Sequence, residues 1–263
     1  MKHSVFVLFL AVFVFFSCKK QSDPTIPPPF YPPNDTTSHT AIPMPILLDV
    51  PNGSYLYNTW GRLIAMISDS TRVLAAGDTV HTGSQYGIAF FVDSNVMNNL
   101  DAGTISLNNI NIPHPTGYFS YKGITELLTV GASWIVSGSS VVPGISYTYS
   151  GGFPQYTGTL PYAVTKAAGI KLTFNAATVS NADSVCVVLT VVDSNSSVTY
   201  YGTFSATAGA ITITGSQFNY LPSADIQHGY LTLMPFKYTT AAFGHKKFVF
   251  VKQAEISHSV SLQ

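Results

Sequence analysis

Glycoside hydrolysis needs two carboxyl groups held several ångströms apart, one to protonate the leaving oxygen and one to attack or to activate water. This chain offers little to that chemistry. Beyond Pro45 its carboxylates are Asp49, Asp69, Asp78, Asp93, Asp101, Asp183, Asp193, Asp225, Glu126 and Glu255. Most stand beside Ser, Thr or Asn, where an Asp that bonds its own backbone is explained as a turn former. Glu126 differs, because Thr125 and Leu127-Leu128 flank it in a strand-like run, where a single Glu reads as solvent-facing. Nucleophilic catalysis needs a Ser or Cys with a base and an orienting group. No Gly-x-Ser-x-Gly elbow is present, and Gly138-Ser139-Ser140 lacks the second glycine. His39, His81, His114, His228, His245 and His258 form no His-x-His pair and no His-Glu-x-x-His motif, so no metal site is expected. Asp193-Ser194-Asn195-Ser196 carries oxygen ligands suited to calcium but not the alternating loop that holds it. Gly151-Gly152 runs into Phe153-Pro154 and not into a helix, which removes the phosphate cradle of nucleotide sites. No cofactor is expected, and an enzyme is the less favoured reading.

Aromatic side chains are the surplus, with 15 Tyr, 17 Phe and 2 Trp. Tyr and Trp join an apolar face to a polar edge, which suits stacking beneath sugar rings. They gather at Tyr55, Tyr57 and Trp60, at Tyr118, Phe119 and Tyr121, and at Tyr147, Tyr149, Phe153 and Tyr156. Tyr147 and Tyr149 are two apart and share one strand face. Trp60 stands beside turn-like Asn58 and Gly61, while Trp134 lies in phase with Val130, Ala132 and Val136 and points to a core. Trp60, Tyr147 and Tyr149 are therefore the candidate ligand platform. The competing reading is sheet packing, because Tyr and Phe favour strands.

The elements that must carry these residues are strands. Short apolar or alternating runs bounded by Gly, Pro, Asn, Asp and Ser predict strands at 46–50, 62–68, 86–92, 103–112, 117–121, 124–136 with a break near Gly131, and 145–149. The second half predicts 169–174, 184–192, 198–206, 210–214, 229–238, 246–254 and 256–262, with one helical turn over 216–221. Residues 184–192 are apolar on both faces, as in a central strand. Repeated short strands indicate a sandwich or barrel. The expected fold is all-β, with two stacked β-sandwich domains over 46–160 and 161–263, the second immunoglobulin-like in size; one large β-sandwich is the runner-up. The boundary is placed in 151–161, Gly-Gly-Phe-Pro-Gln-Tyr-Thr-Gly-Thr-Leu-Pro.

Composition narrows the partners. Apolar residues make up 46% and charged residues 9%, with no excess of basic over acidic groups, so nucleic acid is not expected as a partner. Cys186, inside the apolar run 184–192, has no partner for a disulfide once Cys18 is otherwise used, and reads as a small buried hydrophobe.

The N-terminus sets the location. Met1-Lys2-His3 is basic, Val5 to Phe16 is apolar throughout, and Ser17-Cys18-Lys19-Lys20 follows. This order describes a secretory signal, with an apolar run too short to span a membrane. Phe15-Phe16-Ser17-Cys18 resembles the lipobox of bacterial lipoproteins, although Phe15 departs from the usual Leu. That resemblance implies cleavage after residue 17, acylation of Cys18 and anchorage of the chain to a membrane through lipid, since stable anchoring takes more than one chain. Lys19 is not the Asp associated with retention at the inner membrane, so an outer-membrane lipoprotein at the cell surface or the periplasmic face is implied. Pro24, Pro27, Pro28, Pro29, Pro32, Pro33, Pro43 and Pro45 make the stretch up to residue 45 a tether of polyproline character, with a reach on the order of 80 Å. Signal, tether and all-β body together resemble the β-sandwich lipoproteins of Bacteroidota-type bacteria, a likeness that implies no activity. Asp35-Thr36-Thr37, Asp69-Ser70-Thr71, Asp78-Thr79-Val80 and Asp183-Ser184-Val185 resemble the O-glycosylation signal of envelope proteins in that group, which makes Thr36 in the tether the candidate acceptor. The expected role is a non-catalytic binding or scaffolding module for a glycan or another envelope protein. A hydrolase of surface polysaccharide and a purely structural spacer are the alternatives.

Overall fold

The computed structural model describes residues 59–73, 79–92, 100–113, 120–124, 131–165, 167–192, 197–218 and 228–262. Cys18, Thr36, the proline-rich stretch, the strand predicted at 46–50, and Tyr55, Tyr57, Tyr118 and Phe119 lie outside these residues.

The fold is all-β. In chain order the strands are β1 Gly61–Val73, β2 Thr79–Phe91, β3 Ile105–Leu107, β4 Ile110–Ile112, β5 Ser120–Ile124, β6 Ala132–Val136, β7 Ile145–Tyr149 and β8 Gln155–Tyr156. They continue with β9 Ala163–Val164, β10 Ile170–Phe174, β11 Val179–Ser180, β12 Ser184–Val192, β13 Ser197–Ser205, β14 Gly209–Ile213, β15 His228–Phe243 and β16 Lys246–Leu262. One 3-10 turn, Gly215–Phe218, overlaps the helical turn expected there.

A long sheet runs in the order β13-β12-β15-β16-β1-β2-β5, with β9 added beside β16. Both halves of the chain supply its strands. Its centre is the hairpin of β15 and β16, and β1 joins β16 in parallel over eleven paired positions, from Gly61↔Phe248 to Thr71↔His258. Three smaller sheets pack against it, the two-stranded pair β8-β11 among them. The four strands β4-β3-β6-β7 cover one end, and the pair β10-β14 covers the other.

Side-chain alternation along β16 shows how two layers are specified by one strand. Phe248, Phe250 and Val260 point to the inner face, where Phe248 and Phe250 join the core beneath β3, β6 and β7, and Val260 joins the core beneath β10 and β14. Val249 and Val251 point to the outer face, in a third apolar cluster. A strand buried on both faces reads as near-continuous apolar sequence, and 184–192 behaves in the same way: Val185, Val187 and Leu189 lie inside, Cys186 and Val188 outside.

Several boundaries differ from the sequence expectation; β1, β2 and β15 all run beyond the stretches 62–68, 86–92 and 229–238. The run 103–112 is a hairpin of two strands and not one, because Asn108 and Asn109 adopt left-handed backbone angles (φ 48° and 66°), as a two-residue hairpin turn requires. The Asn108 side chain fixes that turn to β6, accepting from Ser133 N at 2.6 Å and donating to Gly131 O at 3.0 Å. The break expected near Gly131 is a true strand start, with Gly131 at φ 104°. The runs 246–254 and 256–262 are a single strand. Pairing with β15 lapses there between Leu233↔Ile256 and Phe236↔Gln253, because Pro235 has no N–H to give, but the ladder to β1 continues through Ala254 and Glu255.

Candidate functional site

The inner face of β16 carries Lys246, Phe248, Phe250 and Lys252 at every second residue, two aromatic rings bracketed by two ammonium groups. All three candidate platform residues meet this one face. Trp60, half-buried just before β1, lies under Lys246, whose Nζ sits 3.5 Å from the ring centroid. Lys246 also donates to the Val141 carbonyl. Tyr147 stacks on Phe250 with centroids 3.9 Å apart and an interplanar angle of 26°. Tyr149 meets Tyr147 edge-on at 6.4 Å and lies 4.3 Å beneath the ammonium of Lys252. Tyr147 and Tyr149 thus share a face, as their spacing predicts, and that face is half-buried against Phe250 and its neighbours. One side of the Trp60 ring is taken by Lys246.

Lys252 is the most elaborate part of the arrangement. Its side chain is buried, and its ammonium donates to the carbonyls of Ser150, Gly151 and Gly152 at 2.7, 2.9 and 3.0 Å. Phe153 adds a second ring at 5.6 Å. Gly151 makes the cage possible: its φ of 85° is left-handed, so three successive carbonyls converge on one cation. Directly across the hairpin stands Lys237, the β15 partner of Lys252, which pairs with Asp183 at 3.4 Å where both are about half exposed. Desolvation, with the charge of Lys237 second, holds the Lys252 ammonium below its ordinary pKa. The two lysines divide the inner face, with the aromatic core on one side and the aliphatic core on the other. The stretch 151–161 that sequence marks as a boundary starts in this cage.

Neighbouring groups are perturbed by burial. The Tyr149 phenol is pushed up to about 12, first by desolvation and then by Asp183 and Tyr147. Its hydroxyl is buried without a hydrogen-bond partner. Burial likewise raises Tyr156. His258, further along the inner face of β16, packs edge-on against Tyr162 at 4.3 Å, and burial lowers its pKa.

Of the described carboxylates, Asp183 reaches these groups, through its pair with Lys237 and its charge on Tyr149. Asp101 accepts from Gly103 N at 2.8 Å in an exposed loop, as a turn former does. Asp183 is engaged with Lys237, and Asp69 is exposed on β1. Among the described residues no three His, Cys, Asp or Glu side chains cluster as metal ligands would. Cys186 is fully buried, which drives its thiol up to about 12. Ser184, the acceptor position of Asp183-Ser184-Val185, is fully buried within β12 and unavailable for modification. No helix among the described residues is long and apolar enough to cross a membrane.

The lysines that bracket the site escaped the sequence reading. The signal was present: Lys246, Phe248, Phe250 and Lys252 recur at period two in one strand, which puts both cations on the face of the rings. Comparison with protein-family models, with curated proteins and with solved structures finds no match to this chain.

Proposed function

We propose that the chain is a non-catalytic lipoprotein of the cell envelope, anchored through acylated Cys18, held away from the membrane by its proline-rich tether, and using its all-β body to bind or scaffold a glycan or another envelope protein. The observation that carries the non-catalytic part is how the reactive side-chain types are used. Lys246 and Lys252 cap backbone carbonyls and aromatic rings inside the body, Asp183 is paired with Lys237, and Asp101 closes its own turn. Such contacts hold the layers together and leave these groups committed to structure. The N-terminal residues Phe15-Phe16-Ser17-Cys18 support the anchor.

The test has two parts. Cells making the full chain or Cys18→Ala are fed radiolabelled palmitate; label in the first and none in the second supports the anchor. The soluble chain beginning at Thr40 is then run through gels containing a panel of polysaccharides, beside Trp60→Ala. Retardation by one polymer, weakened in the variant, supports a glycan ligand. Retardation by none, with a single envelope protein crosslinked in intact cells, supports scaffolding. Release of sugar from any polymer overturns the non-catalytic reading.

A further inference from the structure

At the aromatic end of the molecule both layers stop at an open edge, and the two edges lie on the same side. β7 ends the four-stranded sheet, and β15 ends the long sheet beyond the start of β12. Backbone direction fixes which groups these edges present. Ser133 donates its N–H to Asn108 Oδ1 at 2.6 Å and accepts from Asn108 N at 2.8 Å, so the odd residues of β6 turn toward β3. Ala132, Trp134 and Val136 therefore bond Tyr149, Tyr147 and Ile145 across the β6-β7 ladder. Ser146 and Thr148, both exposed, turn their N–H and C=O groups away from the sheet. On β15, Phe236 accepts from Asp183 N at 3.0 Å, so the even residues turn toward β12. β12 begins at Ser184, opposite Phe236, and beyond it Tyr238, Thr240 and Ala242 face no described strand. Among the described residues, none of these five outward-turned N–H and C=O pairs has a hydrogen-bond partner. The edges lie one above the other, since Tyr147 stacks on Phe250 and Phe250 pairs with Thr239. One end is closed, because Lys252 takes the Ser150 carbonyl and Lys237 is held by Asp183. Exposed edges are ordinarily blunted by charge, proline or a bulge. Residues 145–149 and 238–243 contain no charge and no proline, and both ladders run there without a bulge.

We propose that a second copy of this chain pairs with these edges about a two-fold axis, β7 antiparallel to β7 and β15 antiparallel to β15, so that both layers continue across the dimer. β7 is its own complement. With Tyr147 opposite its counterpart on the axis, Ser146 of each copy meets Thr148 of the other, and these are the residues whose backbone groups point outward. On β15 the same axis sets Thr240 opposite Thr240 and Tyr238 opposite Ala242. Each outward residue brings one donor and one acceptor, so the pair closes about ten hydrogen bonds, the number a stable interface carries. A single strand from another protein would satisfy one layer and leave the second edge open. A copy satisfies both, because its two edges have the same spacing. The pairing needs neither the lipid anchor nor a glycan.

The test takes the chain from residue 18 onward, carrying Cys18→Ser, through sedimentation velocity over about 1–100 μM. One-chain species should give way to two-chain species as concentration rises. Thr148→Pro removes an N–H that the ladder to β6 does not use, so the fold should persist while affinity between copies falls by about tenfold or more. Thr240→Pro should act in the same way on β15. Ile135→Ser, on the exposed outward face of the four-stranded sheet, should leave the affinity unchanged. Amide hydrogen exchange reads the interface in the unaltered chain, whatever the variants do to folding. Ser146, Thr148, Tyr238, Thr240 and Ala242 should gain protection as concentration rises, and Ser133 should not. A chain that stays monomeric overturns the proposal and leaves the edges to a strand of another protein. A dimer that tolerates both proline variants, or that is lost in Ile135→Ser, overturns it too, as does protection that ignores concentration.

Discussion

The two cores on the inner face of the long sheet are made of different material. Beneath β10 and β14 the buried residues are chiefly aliphatic, among them Val185, Val187, Leu189, Leu231, Leu233, Ile211 and Ile213, with Phe174 and Tyr200 buried alongside them. Beneath β3, β6 and β7 they include Phe91, Trp134, Phe153, Phe248 and Phe250, rimmed by Trp60, Tyr147, Tyr149 and Phe243. Aliphatic side chains satisfy a core by volume alone. Tyr and Trp bring polar atoms, and those of Trp134 and Tyr149 are buried without partners. The aromatic core also recruits two lysines, each settled on a ring and on backbone carbonyls. One half of the inner face is therefore held by shape and the other by directed contacts, although β15 and β16 run through both.

The largest expected effect separates the two by deletion. Phe250→Ala removes the ring that stacks on Tyr147 and meets Phe243, and should cost about 3–5 kcal/mol; Leu233→Ala in the aliphatic core should cost about 2–5 kcal/mol. Denaturant titration followed by two probes sharpens the comparison. Both tryptophans, Trp60 and Trp134, report on the aromatic core, and circular dichroism reports on the whole. Because β15 and β16 are shared, each variant should lower both transitions together. Fluorescence and dichroism that separate in Phe250→Ala would show that the cores unfold independently, and that the shared hairpin does not couple them.

The cage at Lys252 comes next. Hydrogen bonds to a charged group are worth about 1.5–3 kcal/mol, and loss of all three in Lys252→Met should fall in that range and not at three times it, since residues 150–152 are exposed enough for water to replace part of the contact. Proteolysis within 150–161 should accelerate in the variant. Equal stability and equal protection would mean that the cores meet by packing alone.

Much of this was legible in sequence where one periodicity dominates. Strands 145–149 and 184–192 are read off directly, because alternation or two-sided apolarity leaves them no other state, and Trp134 is placed in a core by its phase with Ala132 and Val136. The hairpin at Asn108-Asn109 is not, since Asn is polar anywhere and marks a turn only when the chain must reverse. The candidate site was half legible. Spacing puts Tyr147 and Tyr149 on one face, but nothing local says that this face meets Phe250, about a hundred residues away. Nor does local sequence pair Trp60 with Lys246, because parallel pairing of β1 and β16 is set by the whole topology.

Acid sets the two ends of β16 apart. His258 lies near Leu231 and Val260 at the aliphatic end, and its folded pKa is lowered, so the unfolded chain takes up the proton first as pH falls through about 6.5. Stability is full above that value and should decline below it, and His258→Gln should flatten the decline. An unchanged acid limb in that variant would assign the loss to the carboxylates.

The smallest effect is the sharpest test of how dry the aromatic core is. Tyr149→Phe keeps the ring against Tyr147 and Lys252 and removes only a hydroxyl that has no partner. Near neutral pH the change should be close to zero, or stabilising by up to about 1 kcal/mol, because deleting an unpaired buried polar atom removes its desolvation penalty. The consequence appears in alkali. The folded pKa of Tyr149 is about 12 against an ordinary 10, so the folded state holds the proton longer, and stability present below pH 10 is lost as pH rises from about 10 to 12. Cys186 on the outer face contributes a loss of the same sign from its ordinary 9 up to about 12, and it is common to both chains. The difference between wild type and Tyr149→Phe therefore isolates the phenol. A shallower alkaline limb in the variant means that the ring sits in a core closed to water. Superimposable limbs mean that water reaches the hydroxyl, and the aromatic core then has an open rim at Tyr149.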